Sequence, residues 1–423
     1  MNLSSFRQQG GSGLYMRERR FFFDCQETYT WTVPDGVTKV FAFVIGGGGG
    51  GGVRLSNTQN DTWGAQGGAG GGYAHGYVAT TPGSTYTITV GKGGMGEQRG
   101  TSSQAGTASS FGSNLTGNGG AAGNEANYQD GGDGSTRWGQ GGSASTSNVT
   151  EGYTAAGGGT PTGQNYAYTG YYGTGCATGG ASSGSPFGRG SSRPPICPGA
   201  ANGGSGWSTG SYKNQGALAY MAYAADTQMK TCSFGGDGSH HMNPWCAGSP
   251  DGETQYNNAS RGGAGLQARG GAASCNRYDA SSANNTVNGE NGNPNWWFPW
   301  DIDGGGGGGA IVNISNNSND QDNSARAGHG GPGAGGGGAN AERSADQTGF
   351  HTCAGDGGFG GGGGGAASYW QYTNSQKGCG TRGGNGGIGG GGGAAAHSDK
   401  SWSTTPHTVF GGNGGKGIVA VYW

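Results

Sequence analysis

The stretch FAFVIGGGGGGG, residues 41–52, joins an apolar, strand-like segment directly to a run of glycines. Valine, isoleucine and phenylalanine favour strands, whereas glycine has no side chain to pack and loses the most conformational freedom on folding. The chain contains 107 glycines among its 423 residues. At roughly 0.5–1 kcal/mol per glycine relative to alanine, the entropic cost is on the order of 50–100 kcal/mol. Interactions other than side-chain burial must therefore stabilise this chain.

The composition excludes several classes of protein. Apolar residues make up 30% of the chain and charged residues 11%, with a net charge of −2. An ordinary soluble domain is close to half apolar, so a conventional core is scarcely available. The only basic stretch is RERR, residues 17–20, and no apolar run is long enough to span a bilayer. We therefore expect neither a nucleic-acid partner nor membrane insertion.

Two segments read as pairs of strands around a turn. In TYTWTVPDGVTKVFAFVI, residues 28–45, the turn is Pro34-Asp35-Gly36. In GYAHGYVATTPGSTYTITVG, residues 72–91, it is Thr81-Pro82-Gly83. Proline and glycine at these positions set the backbone angles that tight turns require. A further strand is predicted at the end of the chain, residues 418–423.

The predicted organisation is an attachment arm followed by one glycine-rich domain. The arm covers residues 1–27 and the domain residues 28–423. Within the domain, 28–120 holds strands and the first glycine runs, 121–303 is a loop-rich insertion, and 304–423 holds a glycine-run bundle and the closing strand. The only helix-like patch is GALAYMAYAADTQMK, near residues 217–229.

The later glycine runs predict a core made of backbone. They lie at residues 304–309, 335–338, 360–365 and 389–393. Glycine can adopt the extended threefold polyglycine-II helix, which has no internal hydrogen bonds, so its polar groups are available to neighbouring segments. The expected fold class is mostly irregular and β. It combines short strands, a bundle of polyglycine-II helices and long ordered loops, with little α-helix.

The ordered set of these motifs resembles the glycine-rich domain of bacteriophage tail-fibre and related virion proteins. The set comprises the Val-Pro-x-Gly-Val-Thr-x-Val turn at residues 33–40, the strand and glycine run at 41–52, Thr-Pro-Gly-x-x-Tyr-x-Ile-x-Val-Gly at 81–91, and GIVAVYW at 417–423. The resemblance implies a sandwich of polyglycine-II helices whose loops contact a host receptor. It also implies a place in the virion.

Motifs for catalysis, cofactors and metals are weak. GKGGMG, residues 91–96, matches a dinucleotide fingerprint, but no amphipathic helix is predicted after it. Cys232, His240, His241 and Cys246 do not have the spacing of a common zinc site. No paired carboxylates or nucleophile elbow stand out. We therefore expect no enzyme activity, no cofactor and no metal.

The cysteines predict disulfides. None lies in a CxxC pair, the N-terminus lacks the order of a signal peptide, and paired cysteines indicate an oxidising destination. A virion protein that is made in the host cytoplasm and released in the particle satisfies both conditions. The eight candidates, whose pairing the sequence leaves open, are Cys25, Cys176, Cys197, Cys232, Cys246, Cys275, Cys353 and Cys379.

Two aromatic clusters are the receptor-binding candidates. Aromatic faces flanked by Asn and Ser suit sugar or protein receptors, although they can also cover the edges of a core poor in side chains. The candidates are Tyr166, Tyr168, Tyr171 and Tyr172 in one cluster and Trp296, Trp297 and Trp300 in the other.

The predicted function is that of a tail-fibre adhesin that binds a host surface glycan or outer-membrane protein without catalysis. Residues 1–27, with Phe21–Phe23 and the Arg17–Arg20 patch, are expected to dock on other virion subunits in a homo-oligomeric or larger assembly. The first alternative is a purely structural coat, decoration or fibre subunit. The second is an ice-binding protein, which regular Thr-x-Thr ladders would favour; the sequence shows an isolated one at Thr87–Thr89.

Overall fold

The structure is a computed structural model of the whole chain. It describes residues 18–22, 28–56, 64–98, 101–126, 140–159, 176–177, 179–186, 188–190, 199–200, 274–277, 286–288, 310–314, 323–331, 333, 335–343, 350–370, 380–399 and 408–423. These residues form strands and extended segments and contain no α-helix. The mostly β fold class is therefore confirmed. The predicted helix-like patch and the glycine run 304–309 lie outside the described residues.

Two antiparallel sheets pack face to face and are here called the sandwich. Sheet A has the order β1 (Arg19–Phe22), β25 (Ile418–Tyr422), β3 (Lys39–Ile45), β6 (Tyr73–Ala79) and β12 (Thr150–Ala155). Sheet B has the order β11 (Ala144–Thr146), β9 (Leu115–Gly117), β8 (Ser109–Phe111), β7 (Thr85–Thr89) and β2 (Thr28–Thr32). Between them lies an apolar core that includes Val44 and Val421 from sheet A and Trp31 and Phe111 from sheet B.

The two predicted turns are corners that carry the chain from one sheet of the sandwich to the other. β2 and β3 flank the first turn but belong to different sheets, and so do β6 and β7 at the second. Gly36 and Gly83 both have φ +77, a left-handed conformation that favours glycine. The corners also bind each other, because Val33 N–H donates to Ser84 O and Gly83 N–H donates to Val33 O.

Three further sheets lie at the other end of the molecule. Sheet C has the order β15 (Ser274–Arg277), β17 (Ala310–Ile314), β19 (Ala339–Arg343), β21 (Ala366–Trp370), β23 (Ala395–Asp399) and β4 (Val53–Ser56). Sheet D has the order β10 (Glu125–Ala126), β5 (Gly64–Ala65), β13 (Cys176–Ala177) and β14 (Gly199–Ala200). Sheet E has the order β16 (Thr286–Asn288), β18 (Asn323–Arg326), β20 (Phe350–Cys353), β22 (Gly380–Arg382) and β24 (Thr408–Phe410). Sheets C and E are parallel throughout their described strands.

Extended glycine-rich segments connect the two ends and are here called the glycine layer. Four of them have equal length and join a strand of the sandwich to a strand of sheet C, D or E: 46–52, 66–72, 118–124 and 411–417. The opening stretch of the sequence is thus β3 continuing through the layer into β4. Because the four segments have the same length, the sandwich and sheets C, D and E are separated by the same distance along each of them.

The segment 46–52 bonds to its neighbours with a period of three. Its N–H groups donate at 2.8–2.9 Å in a repeating order: Gly46, Gly49 and Gly52 to segment 66–72, Gly47 and Gly50 to segment 104–107, and Gly48 and Gly51 to segment 412–415. Its carbonyls accept from three further segments, 94–97, 120–123 and 392–395. The segment is therefore surrounded by six others. Its backbone hydrogen bonds point in six directions, whereas those of a β-strand point in two.

Close packing of these segments explains the glycines. A Cβ built on Gly48 would meet the carbonyl of Gly390, one on Gly49 that of Ala121, and one on Gly50 that of Met95, all at less than 3.0 Å. Real Cβ atoms do not approach backbone atoms so closely, so three consecutive positions exclude a side chain on three different sides. The layer does accept a methyl group at Ala69, which is fully buried.

The structure differs from the sequence interpretation in the predicted insertion and in the predicted arm. Residues 144–146 and 150–155 lie in the predicted loop-rich insertion but form β11 and β12, the edge strands of sheets B and A. Residues 19–22 lie in the predicted arm but form β1, which pairs with β25 from Arg19↔Tyr422 to Phe22↔Val419. This part of the predicted arm belongs to the sheet of the body.

Candidate functional site

Sheets C, D and E have one side towards the glycine layer and one side away from it. The side away from the layer is here called the loop end. β4, β19, β21 and β23 run away from the glycine layer in parallel, and each is followed by a segment outside the described residues. The chain then returns to the layer through β5, β20, β22 and β24. The strand ends that flank 57–63, 344–349, 371–379 and 400–407 are therefore gathered at the same end.

The two predicted aromatic clusters are connected to opposite ends of these strands. The Tyr166–Tyr172 cluster lies outside the described residues, in a segment that ends at Cys176, and Cys176 pairs with Gly64 at the loop end of β5. The cluster of Trp296, Trp297 and Trp300 also lies outside them, between Asn288 and Ala310. By the parallel register of sheets C and E, β16 ends and β17 begins on the side of the glycine layer.

The N-terminal part of the chain enters at the end opposite to the loop end. Glu18 N–H donates to Trp423 O at 3.0 Å, and Trp423 N–H donates to Glu18 O at 3.1 Å. β1 then runs from this tip towards the glycine layer, because Arg19 pairs with Tyr422 and Phe22 with Val419. Residues 1–17, which lie outside the described residues, are thus attached at the outer tip of the sandwich.

One cysteine side chain is described. Cys353 carries a free thiol, and burial, the largest effect, raises its pKa although Arg326 and Arg382 lie on the neighbouring strands. Cys176 and Cys275 lie on β13 and β15, but their side chains are outside the described set, as are the other five cysteines. Disulfide pairing among the cysteines other than Cys353 stays a prediction.

A buried Ser–His pair lies between sheets C and E. Ser368 Oγ is 2.7 Å from His397 Nδ1 and 2.5 Å from Thr381 Oγ1. A serine beside a histidine is the arrangement of a hydrolase nucleophile and its base. Here, however, Ser368 is 2% exposed and His397 1% exposed, so a substrate cannot reach the hydroxyl. The sequence gives no signal for this cluster, because its residues are 29 and 13 positions apart. We assign it a packing role.

After β18, β20 and β22 the chain enters the glycine layer, turns at Gly333, Phe359–Gly360 and Ile388–Gly389, and returns to sheet C at β19, β21 and β23. Polar side chains form a ladder across these successive turns. His329 Nδ1 accepts from Asp356 N–H, Asp356 Oδ1 from Asn385 N–H, and Asn385 Oδ1 from Asn413 N–H, at 2.6–3.0 Å. Asn413 Oδ1 then accepts from Gly96 N–H. The rungs are 27, 29 and 28 residues apart. The sequence does carry a signal for this repeat, because Gly-Gly follows each ladder residue directly and precedes Pro332, Phe359 and Ile388.

The outward face of sheet A carries five aromatic side chains in mutual contact, here called the aromatic platform. They lie on four adjacent strands, and their ring centres are 5.3–6.1 Å apart. The platform consists of Phe41, His75, Tyr77, Tyr153 and Tyr422.

Hydroxyl groups cover the outward face of sheet B at its edge. Thr28 pairs with Thr89, Thr30 with Thr87 and Thr32 with Thr85, and all but Thr89 are exposed. We call this set the threonine array. The sequence interpretation that Thr-x-Thr occurs only as an isolated ladder is wrong, because TYTWT and TYTIT come together in register.

No group of three or more His, Cys, Asp or Glu side chains in the described ranges could hold a metal ion. Within the same ranges, no helix has the length and apolarity needed to cross a membrane. Comparison of the chain with protein-family models and with curated proteins found no match. The resemblance to virion proteins therefore rests on the sequence motifs alone.

Proposed function

We propose that the chain is a bacteriophage virion surface protein, a tail-fibre adhesin that binds a host-cell receptor without catalysis. The observation that carries the proposal is that two kinds of segment join the body at opposite ends of the molecule. The segments that follow β4, β19, β21 and β23 leave at the loop end, whereas residues 1–17 are attached at the opposite tip. A protein that joins a particle and reaches outward needs its attachment and its contact surface at opposite ends.

We further propose that the segments of the glycine layer are polyglycine-II helices. Such a helix has three residues per turn and rises about 3.1 Å per residue. The period of three in the hydrogen bonds of residues 46–52 supports this proposal, as does the ring of six neighbours. Backbone packing of this kind would fix both ends of every loop, so that loops present binding groups with little ordering cost.

The topology favours the tyrosine cluster over the tryptophan cluster as the receptor contact. Of the two, only the tyrosine cluster precedes a described strand that begins at the loop end. The test replaces Tyr171 and Tyr172 with Ala in one variant, and Trp296, Trp297 and Trp300 with Ala in another. We expect the first variant to lose adsorption to host cells while particles still assemble. Normal adsorption of both variants, with unchanged thermal unfolding, would favour the purely structural coat or fibre subunit.

Attachment to the particle is assigned to the part of the arm that precedes Glu18. Because β1 pairs with β25 in sheet A, a deletion that reaches residue 22 would remove an edge strand of the body. The appropriate variant therefore lacks residues 1–17 only. We expect a folded protein that no longer enters the particle, measured as the amount of the chain in purified particles. Unchanged incorporation would contradict this assignment and leave receptor binding as a separate question.

The threonine array favours ice binding as a second candidate function. Threonines two apart on a strand are about 6.6–6.8 Å apart, and neighbouring strands lie about 4.8 Å apart, so the array presents hydroxyls on a regular grid. Thermal hysteresis of the purified chain tests this function. The matched variants are Thr30→Val and Thr87→Val, which keep the shape and remove the hydroxyls. Absence of hysteresis in the parent chain would exclude ice binding.

A further inference from the structure

The aromatic platform lies in a corner between sheet A and the turns of the glycine layer. Alternate residues of sheet A face outward, and they form cross-strand rows such as Tyr422–Phe41–Tyr77 and Phe43–His75–Tyr153. Nearer the glycine layer, this face is covered: Phe43 is 1% exposed and belongs to an apolar cluster with Phe359 and Ile388, which lie in the turns. The sheet thus forms a wall and the turns form a floor.

Along the row Phe43–His75–Tyr153, exposure increases from the buried centre of sheet A to its edge strand β12. Phe41, His75, Tyr77 and Tyr422 are half-buried, and Tyr153 is 37% exposed. The rings pack against each other. The ring centres of Phe41 and His75 are 5.5 Å apart, and those of His75 and Tyr153 are 5.4 Å apart. A surface whose side chains are already fixed loses little rotamer entropy when a ligand binds.

The His75 imidazole and the Tyr422 phenol of the platform are uncharged at neutral pH. Burial lowers the pKa of His75, whose Nδ1 lies 2.8 Å from the hydroxyl of Tyr73. Burial also raises the pKa of Tyr422 to about 12. Two cations of the described residues lie at the rim: Lys39, whose Nζ is 4.3 Å from the centre of the Tyr77 ring, and Arg19, which pairs with Tyr422. The face therefore combines aromatic surface with neutral phenol and imidazole groups.

The edge of the sheet beside the platform is unsuited to pairing with another strand. β12 pairs with β6 through a register shift between Thr150 and Tyr153, and Glu151 adopts a positive φ of 52°. Such bulges interrupt the row of backbone groups that an added strand would use. A partner on this face must therefore be recognised by side chains and not by extension of the sheet.

We propose that the aromatic platform is a binding site for an uncharged oligosaccharide. The apolar C–H face of a pyranose ring matches an aromatic surface, while its hydroxyls need neutral donors and acceptors at the rim, which Tyr, His and Thr150 supply. Ligand sites of this kind are concave and mostly apolar, with a few polar groups that fix orientation. The site is separate from the loop end and does not depend on the chain being a virion protein.

The test measures binding of defined sugars to the purified full chain by saturation-transfer NMR and calorimetry. The probes are maltohexaose, cellohexaose and chitohexaose, with a heparin hexasaccharide as the charged comparison. We expect at least one neutral probe to bind and Tyr153→Ala to weaken it about tenfold or more, whereas Tyr153→Phe, which keeps the ring, has a smaller effect. His75→Ala should also weaken binding.

The matched control is Met95→Ala, which changes a side chain 54% exposed elsewhere on the surface and should leave binding unchanged. Thermal unfolding shows that each variant is folded. The proposal is overturned if no neutral probe binds, if only the heparin probe binds, or if Tyr153→Ala and His75→Ala bind as tightly as the parent. Cross-linking of Tyr153 to a protein partner, with no sugar bound, would also overturn it by identifying a protein-docking face.

Discussion

In the sandwich, the groups that fill the interior are side chains such as Phe111 and Leu115, both fully buried between two sheets. In the glycine layer, the carbonyl oxygen of Gly390 lies only 2.0 Å from the position that a Cβ on Gly48 would take. Both regions exclude water, but the sandwich does so with apolar volume and the layer with hydrogen-bonded backbone. Removing atoms should therefore damage the first region, and adding atoms should damage the second.

The largest effect is expected from truncation in the sandwich. Phe111→Ala removes a ring that stacks on Tyr86 with centres 4.7 Å apart and lies 6.0 Å from Trp31. The lost burial and the remaining cavity should lower the free energy of unfolding by about 3–5 kcal/mol. Chemical denaturation of the purified chain measures the change. A loss below that of the glycine-layer variant described next would reverse the comparison.

An addition in the glycine layer is expected to follow in size. Gly49→Val brings a side chain against the carbonyl of Ala121, which is itself hydrogen-bonded to Ala69 N–H. Overpacking of this kind should cost about 1–3 kcal/mol or more. The matched control is Ala69→Gly, which removes a methyl group that the layer accepts and should cost only about 0.5–1 kcal/mol. If Gly49→Val unfolds like the parent, the layer is not packed by its backbone.

A smaller effect is expected from the polar ladder, which adds side-chain bonds to the layer. Asn385→Ala removes the acceptor of Asn413 N–H and should cost about 0.5–1.5 kcal/mol. Asn385→Asp keeps an acceptor oxygen, and high salt screens its repulsion from Asp356. In high salt the aspartate variant should therefore be more stable than the alanine variant. Equal stability of the two would show that the ladder does not stabilise the layer.

The smallest effect is a pH dependence at the outward face of the sandwich. Burial lowers the pKa of His75 in the folded chain, so the unfolded chain binds more protons as the pH falls below the ordinary histidine value of about 6.5. Stability should be constant above about pH 6.5 and should decrease as the pH falls from there through the lowered pKa of the folded chain. Comparison of unfolding at several pH values in the parent and in His75→Phe isolates this contribution. An equal pH dependence in both would assign it to other groups.

Local features of the fold follow from the sequence, whereas strand partners do not. Alternation in residues 28–32 and 85–89 and the apolar run before Gly46 predict β2, β7 and β3 correctly. The same pattern cannot indicate that β2 and β3 belong to different sheets. Burial stabilises an apolar side chain in any core, whichever sheet its strand belongs to. β12 gave no signal because its residues up to Thr154 are exposed on an edge strand.

The candidate sites show the same limit. The threonine array and the aromatic platform each consist of residues brought together by cross-strand register, such as Thr30↔Thr87 and His75↔Tyr153. Their single strands look ordinary in the sequence. The glycine runs were informative for the opposite reason, since a segment without side chains leaves the backbone as the only group that can pack.

The lack of space for a Cβ in the glycine layer has a consequence at the level of the gene. All glycine codons begin with GG and accept any third base, so every third nucleotide of these runs can change silently. A change at the first or second base replaces glycine, and at positions such as Gly48 and Gly390 the new side chain meets backbone. The runs should therefore diverge in DNA while the encoded layer remains constant, and variation in the protein should accumulate in the segments between its strands.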